Sequence, residues 1–297
     1  MERQYVKPGS YSDGSPLDRV HYIESKIILK PDGLTSVKAL RDYGAVVREA
    51  AAGAGVIYSD EGMQSLRPAI REIRFFDTPD FRLYNNAFIL RLRVRYEDGF
   101  PLGEPEIVFK FRHPDLQTAA ERDVRPQFDI PHRIKFKAEA LPLRERVGGA
   151  RLLYSHNAQF PLSAAPAGDR RSMAVLARAF PCLEPLRGPE GERVDVVNQA
   201  IVEEVLLDLA VLDFGKGISA ECNVALWRMR GDHTPLVGEF AFQARFKRAD
   251  EVHERAIARG QHFFTLLQTL GEDRVLLGTT KTGAVYRRNG NAPQSHE

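Results

Sequence analysis

Between Phe88 and Tyr96 the chain reads FILRLRVRY, so Arg91, Arg93 and Arg95 occupy every second position among Leu90, Leu92 and Val94. Alternate side chains of a strand point to opposite faces, so as a strand this segment has one apolar face and one wholly cationic face. Three further segments sort the same way. Val108, Lys110 and Arg112 oppose Ile107, Phe109 and Phe111; Glu239, Gln243, Arg245 and Lys247 oppose Phe240, Phe242 and Phe246; Glu24, Lys26 and Lys30 oppose Ile23, Ile27 and Leu29. One such strand alone is most simply half-solvated, apolar face in and charged face out. Several mainly cationic faces in one sheet are a different matter, because like charges opposite one another destabilise it. A polyanion would neutralise them: Arg forks match phosphate oxygens bidentately and Lys supplies point charge. If the sheet closes with this face inward and helices cover the phenylalanine face, the lumen becomes an anion-binding tunnel. Closure would also remove exposed strand edges.

The charge is local, since 42 Lys and Arg against 40 Asp and Glu leave a formal net charge of only +2. That balance argues against a polycation that coats nucleic acid, and no sequence-specific nucleic-acid partner is expected. A length of 297 residues, 43% of them apolar, allows one large domain or two ordinary ones. Cys182 and Cys222 are too few for a disulfide framework and lack zinc-site spacing, so buried thiols in a reducing compartment are expected. The histidines show no metal-ligand spacing, and the glycines form no phosphate loop. With no apolar N-terminal region and no run approaching about 18 apolar residues, the expectation is a cytoplasmic protein without a membrane partner.

Turn and cap signals divide the chain. The composition predicts disordered segments at 1–19 and 289–297 and a single domain over 20–288. Strands are predicted at 20–30, 70–77, 87–96, 105–113, 202–214, 218–229 and 236–247, punctuated by Pro31-Asp32-Gly33, Thr78-Pro79-Asp80 and Gly215-Lys216-Gly217. Helical spacing predicts helices at 36–52, opened by Ser36, and at 249–270, closed by Gly271, with a short one near 171–180. The proline-rich stretch 129–195 reads as an insertion or helical region.

The segment FFDTPDFRLYNNAFILRLRVR closely resembles one typical of the CYTH superfamily, the triphosphate tunnel metalloenzymes, where an aromatic-Asp-Thr-Pro-Asp turn precedes a Leu-Arg-x-Arg strand. YIESKIILK resembles the family's opening Glu-x-Glu-x-Lys strand, IVFKFRHP its Leu-Lys-x-Arg strand, and AERDVRP the Arg and acid segment after it. GEFAFQARF resembles the late acidic strand and LLGTTKTGAVYRR the closing Ser-Lys-x-x-x-Tyr segment. The resemblance spans about residues 20–128 and 200–288. It implies an α+β fold built on a closed antiparallel β-barrel, an eight-stranded tunnel with helices outside, which grips a triphosphate while acidic residues hold Mg²⁺ or Mn²⁺. Carried over position by position, Lys26, Arg74, Arg91, Arg93, Lys110, Arg112, Arg122 and Lys281 would hold phosphate. Glu24 and Glu239 would be the metal carboxylates and, with Lys26, the catalytic set; Glu221 could supplement them, and Asp77 would fix its turn.

The pattern departs from the family at two acidic positions, where Tyr22 and Ala241 stand. The implied activity is metal-dependent hydrolysis of a triphosphate: inorganic triphosphate, a nucleoside or thiamine triphosphate, or short polyphosphate. The thinned acidic set keeps open a non-catalytic binder of polyphosphate or a phosphorylated ligand, and the shared fold keeps open an adenylate cyclase or polyphosphate polymerase. The expected partner is a small-molecule triphosphate or polyphosphate, its remaining groups recognised at the tunnel mouth, in 129–195.

Overall fold

The computed structural model describes residues 20, 22–128, 130–165, 168–246 and 252–290. The expected disordered segment 1–19, residues 291–297 of the one expected at 289–297, Lys247, and the first residues of the helix expected from 249 lie outside the described residues, while 289 and 290 form a turn and a bend after α6. The strands are β1 (Tyr22–Leu29), β2 (Ile57–Ser59), β3 (Ala69–Asp77), β4 (Phe88–Glu97), β5 (Phe100–His113), β6 (Arg133–Leu141), β7 (Arg151–Pro161), β8 (Asp195–Gly215), β9 (Ile218–Met229) and β10 (Pro235–Arg245). The helices are α1 (Val37–Ala54), α2 (Arg82–Asn85), α3 (Leu116–Glu121), α4 (Met173–Ala179), α5 (Glu254–Leu270) and α6 (Lys281–Tyr286). The longer helices have the predicted punctuation. Ser36 Oγ accepts the Ala39 N–H at 3.0 Å to open α1, and Gly55 closes it in the left-handed region at φ 65°.

The sheet runs β8-β3-β4-β5-β7-β6-β1-β10-β9 and closes through a β8–β9 pairing, with β2 added on β8. The barrel thus has nine strands rather than eight. It is also not wholly antiparallel, because β1 pairs in parallel with β6, Glu24 opposite Glu139. Both differences come from 129–195, which supplies two wall strands, β6 and β7, in place of the expected insertion or helical region. Its prolines do not interrupt these strands. Pro161 ends β7 and Pro142 follows β6, positions where a missing N–H leaves the ladder intact.

Strand parity sorts the barrel as predicted. The apolar parity of β8, β9 and β10 (Leu207, Val224, Phe240, Phe242) packs outward against Tyr43 and Val47 of α1 and Phe263, Phe264 and Leu267 of α5. On the other side Phe88, Leu90 and Phe109 pack outward against Leu176 of α4 and Phe180, whose ring stacks on Phe109 at 4.1 Å. Each fully buried Leu or Phe contributes about 1.5–3 kcal/mol, so these outer layers hold the sheet closed around a polar interior.

One end of that interior is stopped. Ile28, Ile73, Phe75, Ile89, Val202, Trp227 and Val237 form an apolar plug with Tyr84 and Tyr286, whose rings stack at 4.1 Å. The Asp-Thr-Pro-Asp turn anchors it. Asp77 accepts N–H groups of Thr78, Leu83 and Tyr84 at 2.8, 2.8 and 2.9 Å and the Tyr286 hydroxyl at 3.0 Å. Burial pushes its carboxyl up to about 6 against the pull of those donors. At the same C-terminal end of α6, Asn198 Nδ2 donates to the Val285 and Tyr286 carbonyls, both at 2.8 Å. Asn198 and Gln199 take left-handed backbone at φ 50° and 53° to make that approach. At its N-terminus Thr280 Oγ1 accepts the Gly283 N–H at 3.0 Å, so the short helix α6 is fixed at both ends, which sets where Lys281 projects. Among the described residues no helix is long and apolar enough to cross a membrane.

Candidate functional site in the barrel lumen

Above the plug, two carboxylate nests face each other across the lumen. In the first, the fully buried Glu139 of β6 accepts from Lys110 Nζ at 2.6 Å and Ser155 Oγ at 2.9 Å. Lys26 and Lys137 approach it at 3.3 Å and Arg112 at 3.6 Å. Glu24 lies beside it, paired with Lys26 at 3.1 Å and with Lys137. Burial alone would raise the Glu139 carboxyl, but Lys110, Lys26, Lys137 and Arg112 outweigh it and hold the group well below the carboxylate range. With so many cations sharing one carboxylate, compensation is incomplete. Burial, joined by Arg112, Lys137 and Lys26, pushes the Lys110 ammonium well below its usual range.

In the second nest Lys281 reaches Glu204 at 3.0 Å and Glu239 at 2.7 Å, its ammonium 4.8 Å from the centroid of the Trp227 ring. Glu204 also accepts from Trp227 Nε1 at 2.7 Å and meets Arg71 at 3.2 Å. Burial works against ionising Glu204, yet Lys281 and Arg71 hold its carboxyl below the usual range. A carboxyl depressed in the fold stabilises it above the unfolded value, about 4.5, and that stabilisation is lost as pH falls. Glu204→Gln is therefore expected to flatten the fall in urea midpoint between pH 7 and pH 3 relative to the unsubstituted chain. An unchanged pH slope would show that Glu204 is not the charge these cations hold.

Along β4 the matching of charge fails. Arg91 has no ion-pair partner among the described residues, and its Nε has no acceptor. Burial, followed by the adjacent Arg93, pushes its guanidinium down to about 9, and a group that stays protonated in proteins must bear that as unfavourable charge. Arg93 is half-compensated by Glu106 at 3.2 Å, its Nε also without an acceptor.

The expected phosphate ligands Lys26, Arg91, Arg93, Lys110, Arg112 and Lys281 thus converge in one lumen, as do Glu24 and Glu239. Arg74 and Arg122 do not. The register places Phe75 opposite Arg91 and Arg74 opposite Leu92, so Arg74 lies on the outer face, where it pairs with Glu72 at 2.6 Å. The lumen-facing arginine of β3 is Arg71. Arg122 is exposed outside the barrel, its guanidinium 5.2 Å from the Phe111 ring centroid. Glu221 shares the inward parity of Trp227 on β9 but is exposed near the rim, with no ion pair among the described residues.

Sequence reasoning missed Glu139, Lys137, Lys135, Glu204 and Arg71. A signal existed for the first three: in RIKFKAEAL, Lys135, Lys137 and Glu139 alternate with Ile134, Phe136 and Ala138 as clearly as the arginines of β4 alternate with leucine. Prolines on either side hid it. Glu139 and Glu204 bring two further buried carboxylates into the lumen. Lys26 sits opposite Ala241 and turns instead to Glu24 and Glu139. Among the described residues no group of three or more His, Cys, Asp or Glu is placed to hold a metal ion.

No protein-family model matches the chain, and no curated protein matches it significantly. Solved structures similar to it include a candidate adenylyl cyclase of Hippeastrum, described as revealing a dominant triphosphatase activity; the TM-score is 0.42 and the identity 12%, with 94% of this chain and 100% of that one covered. A candidate adenylate cyclase of Bacillus halodurans is similar at TM-score 0.35 and 13% identity, over 89% of this chain and 95% of that one. The PH1819 protein of Pyrococcus horikoshii is similar at TM-score 0.35 and 12% identity, over 91% and 100%. Likeness at this level carries no argument for activity. The chain's own closed sheet, with helices outside and a charged lumen within, is a barrel of the general form that the sequence resemblance implies.

Proposed function

We propose that the lumen takes up a triphosphate group from its open mouth and that the chain is a metal-dependent phosphohydrolase. The substrate would be inorganic triphosphate, a nucleoside or thiamine triphosphate, or short polyphosphate. The observation that carries this reading is Arg91, a guanidinium inside a wall of cations with no carboxylate partner among the described residues. Phosphate oxygens are acceptors that match its fork.

The carboxylates fit a divalent ion completed by substrate. Glu24 and Glu139 are register partners on neighbouring strands, and Glu139 Oε2 is buried, makes no hydrogen bond and faces Lys26 at 3.3 Å and Arg112 at 3.6 Å; Glu204 and Glu239 share Lys281. Mg²⁺ commonly takes one or two carboxylates and fills its remaining positions with phosphate oxygens and water. When bound, Mg²⁺ or Mn²⁺ would supply charge neutralisation at the phosphoryl oxygens. The chain itself does the rest. Arg91 and Arg93 hold the phosphates along one wall, and Lys26, Lys110 and Arg112 draw the innermost phosphate towards the plug. Glu24 or Glu239 orients a water for in-line attack, so that the rate comes from positioning and electrostatics.

A second reading, a non-catalytic phosphate binder, is favoured by one observation: Glu24, Glu139, Glu204 and Glu239 already hold lysines. Phosphate release from tripolyphosphate, ATP and thiamine triphosphate with Mg²⁺ or Mn²⁺ separates the two. Metal-dependent turnover is expected, falling about 10²-fold or more in Glu24→Gln and Glu239→Gln. Tight triphosphate binding without turnover would select the binder instead.

A further inference from the structure

A second group of cations lies at the plugged end of the barrel, on the far side from the mouth. On β7, Arg151 continues the parity of Ser155 and Leu153 and lies opposite Leu141 of β6, while Leu153 lies opposite Glu139. Leu141 and Leu153 are buried and stand between Arg151 and the Glu139 nest. Arg151 is half-buried and has no ion pair among the described residues, and its Nε is buried without an acceptor. Burial, followed by Arg144 and Arg112, pushes its guanidinium down to about 10, and Glu145 offsets this only in part.

Segments far apart in sequence bring the other cations there. Arg112 ends the inward row of β5 and faces Glu139 at 3.6 Å. Arg144 is exposed in the β6–β7 connection, without an ion pair among the described residues. A Cβ at Gly278 would lie 3.6 Å from the Arg144 carbonyl oxygen, so this connection runs beside the segment leading into α6. After α6, Arg287 folds back to donate to Thr279 Oγ1 of that same segment. Burial raises the Tyr84 phenol while Arg112, Arg287 and Arg144 all draw it back, so the three guanidiniums gather around one ring. Glu145, the acid beside them, is exposed and forms no ion pair with any of them.

Like charges drawn together from four elements oppose the fold unless an anion offsets them. We propose that Arg144, Arg151 and Arg287 form a second anion site, outside the lumen, which takes a phosphoryl dianion: inorganic phosphate or the phosphate of a monoester. The buried Nε–H of Arg151 is a donor without an acceptor, and Arg144 brings a second fork from an exposed loop. A tetrahedral oxyanion offers enough oxygens for several forks at once. The site is independent of the lumen reading.

The Nε–H resonance of Arg151 in a nitrogen–proton correlation spectrum, assigned by its loss in Arg151→Lys, reports on this site. Sodium phosphate added to the full chain at constant ionic strength should shift it saturably, and sodium chloride should not. Arg144→Gln should weaken that titration roughly tenfold or more, as the loss of one charge-assisted contact gives, and Arg144→Lys should recover part of it. Arg144 is exposed, so the fold does not depend on it. Arg91→Gln, a change within the lumen, should leave the titration unaltered. Glycerol phosphate binding as tightly as phosphate would sustain the site as one for monoesters, and weaker binding would sustain it as one for the free ion. A resonance that does not move with phosphate, moves equally with chloride, or titrates alike in Arg144→Gln overturns the proposal and leaves the lumen reading standing. Loss of the titration in Arg91→Gln also overturns it, by showing that Arg151 senses phosphate in the lumen through Arg112.

Discussion

Glu139→Gln is expected to lower the unfolding free energy by about 3–5 kcal/mol, the usual consequence of removing one side of a buried ion pair. The side chain is fully buried, and Lys26, Lys110, Lys137 and Arg112 all lie within 3.6 Å of its carboxylate. Gln is nearly isosteric, so the loss is of charge and not of packing. The amide would also point donors at ammonium groups that need an acceptor. In a domain of this size the loss corresponds to a fall in Tm of roughly 10 °C. Two controls separate this from a general defect. Glu139→Gln/Lys110→Met should recover part of the stability, because the cation left unpaired is removed as well. Tripolyphosphate should raise the Tm of Glu139→Gln more than that of the unsubstituted chain, since it restores negative charge to the same nest. A variant as stable as the parent would refute Glu139 as the counter-ion of the lumen.

Arg91→Gln is expected to act in the opposite sense on stability. It removes a half-buried guanidinium that has no carboxylate and lies beside Arg93, so the ligand-free protein should be at least as stable as before, measured by urea midpoint. Binding should suffer. A charge-assisted contact to phosphate contributes about 1.5–3 kcal/mol, which is roughly a 10- to 150-fold weaker Kd for tripolyphosphate. Few substitutions raise stability and lower affinity together, and those that do mark groups held at a cost for function. If Arg91→Gln instead destabilises the empty protein and leaves tripolyphosphate affinity unchanged, Arg91 is structural and the anion site lies elsewhere.

The two substitutions differ because the lumen is divided. Around Glu139 and Glu204 each cation meets a carboxylate, and the charges hold one another in place. Along β4, Arg91 has no ion-pair partner among the described residues and Arg93 has Glu106 at 3.2 Å. This division was not visible along the chain, where Lys110 and Arg91 look alike: each is a cation at an inward position of an alternating strand. What separates them is Glu139, which reaches Lys110 from β6 across β7 and does not reach Arg91.

The reading of Arg74 shows the same limit from the other side. Its placement as a phosphate ligand came from a resemblance, whereas register puts Arg71 into the barrel and Arg74 outside against Glu72. The alternation of RIKFKAEAL was legible and was discounted because prolines surround it, although proline at a strand end costs the ladder nothing. Arg122 had no alternating partner to fix its face.

Strand parity is a property of two neighbouring residues, so the sequence alone determined which side chains share a face, and with that the apolar exterior of β1, β4, β5 and β10, the cationic interior of β4 and β5 and the mixed polar interior of β1 and β10. Strand order, closure and the plug depend on contacts between distant segments. Glu204 meets Lys281 across 77 positions and Lys137 meets Glu24 across 113. Only the tertiary structure could decide which cations are matched by a carboxylate and which are not, because a charge acts over a few ångströms of space whatever its distance along the chain.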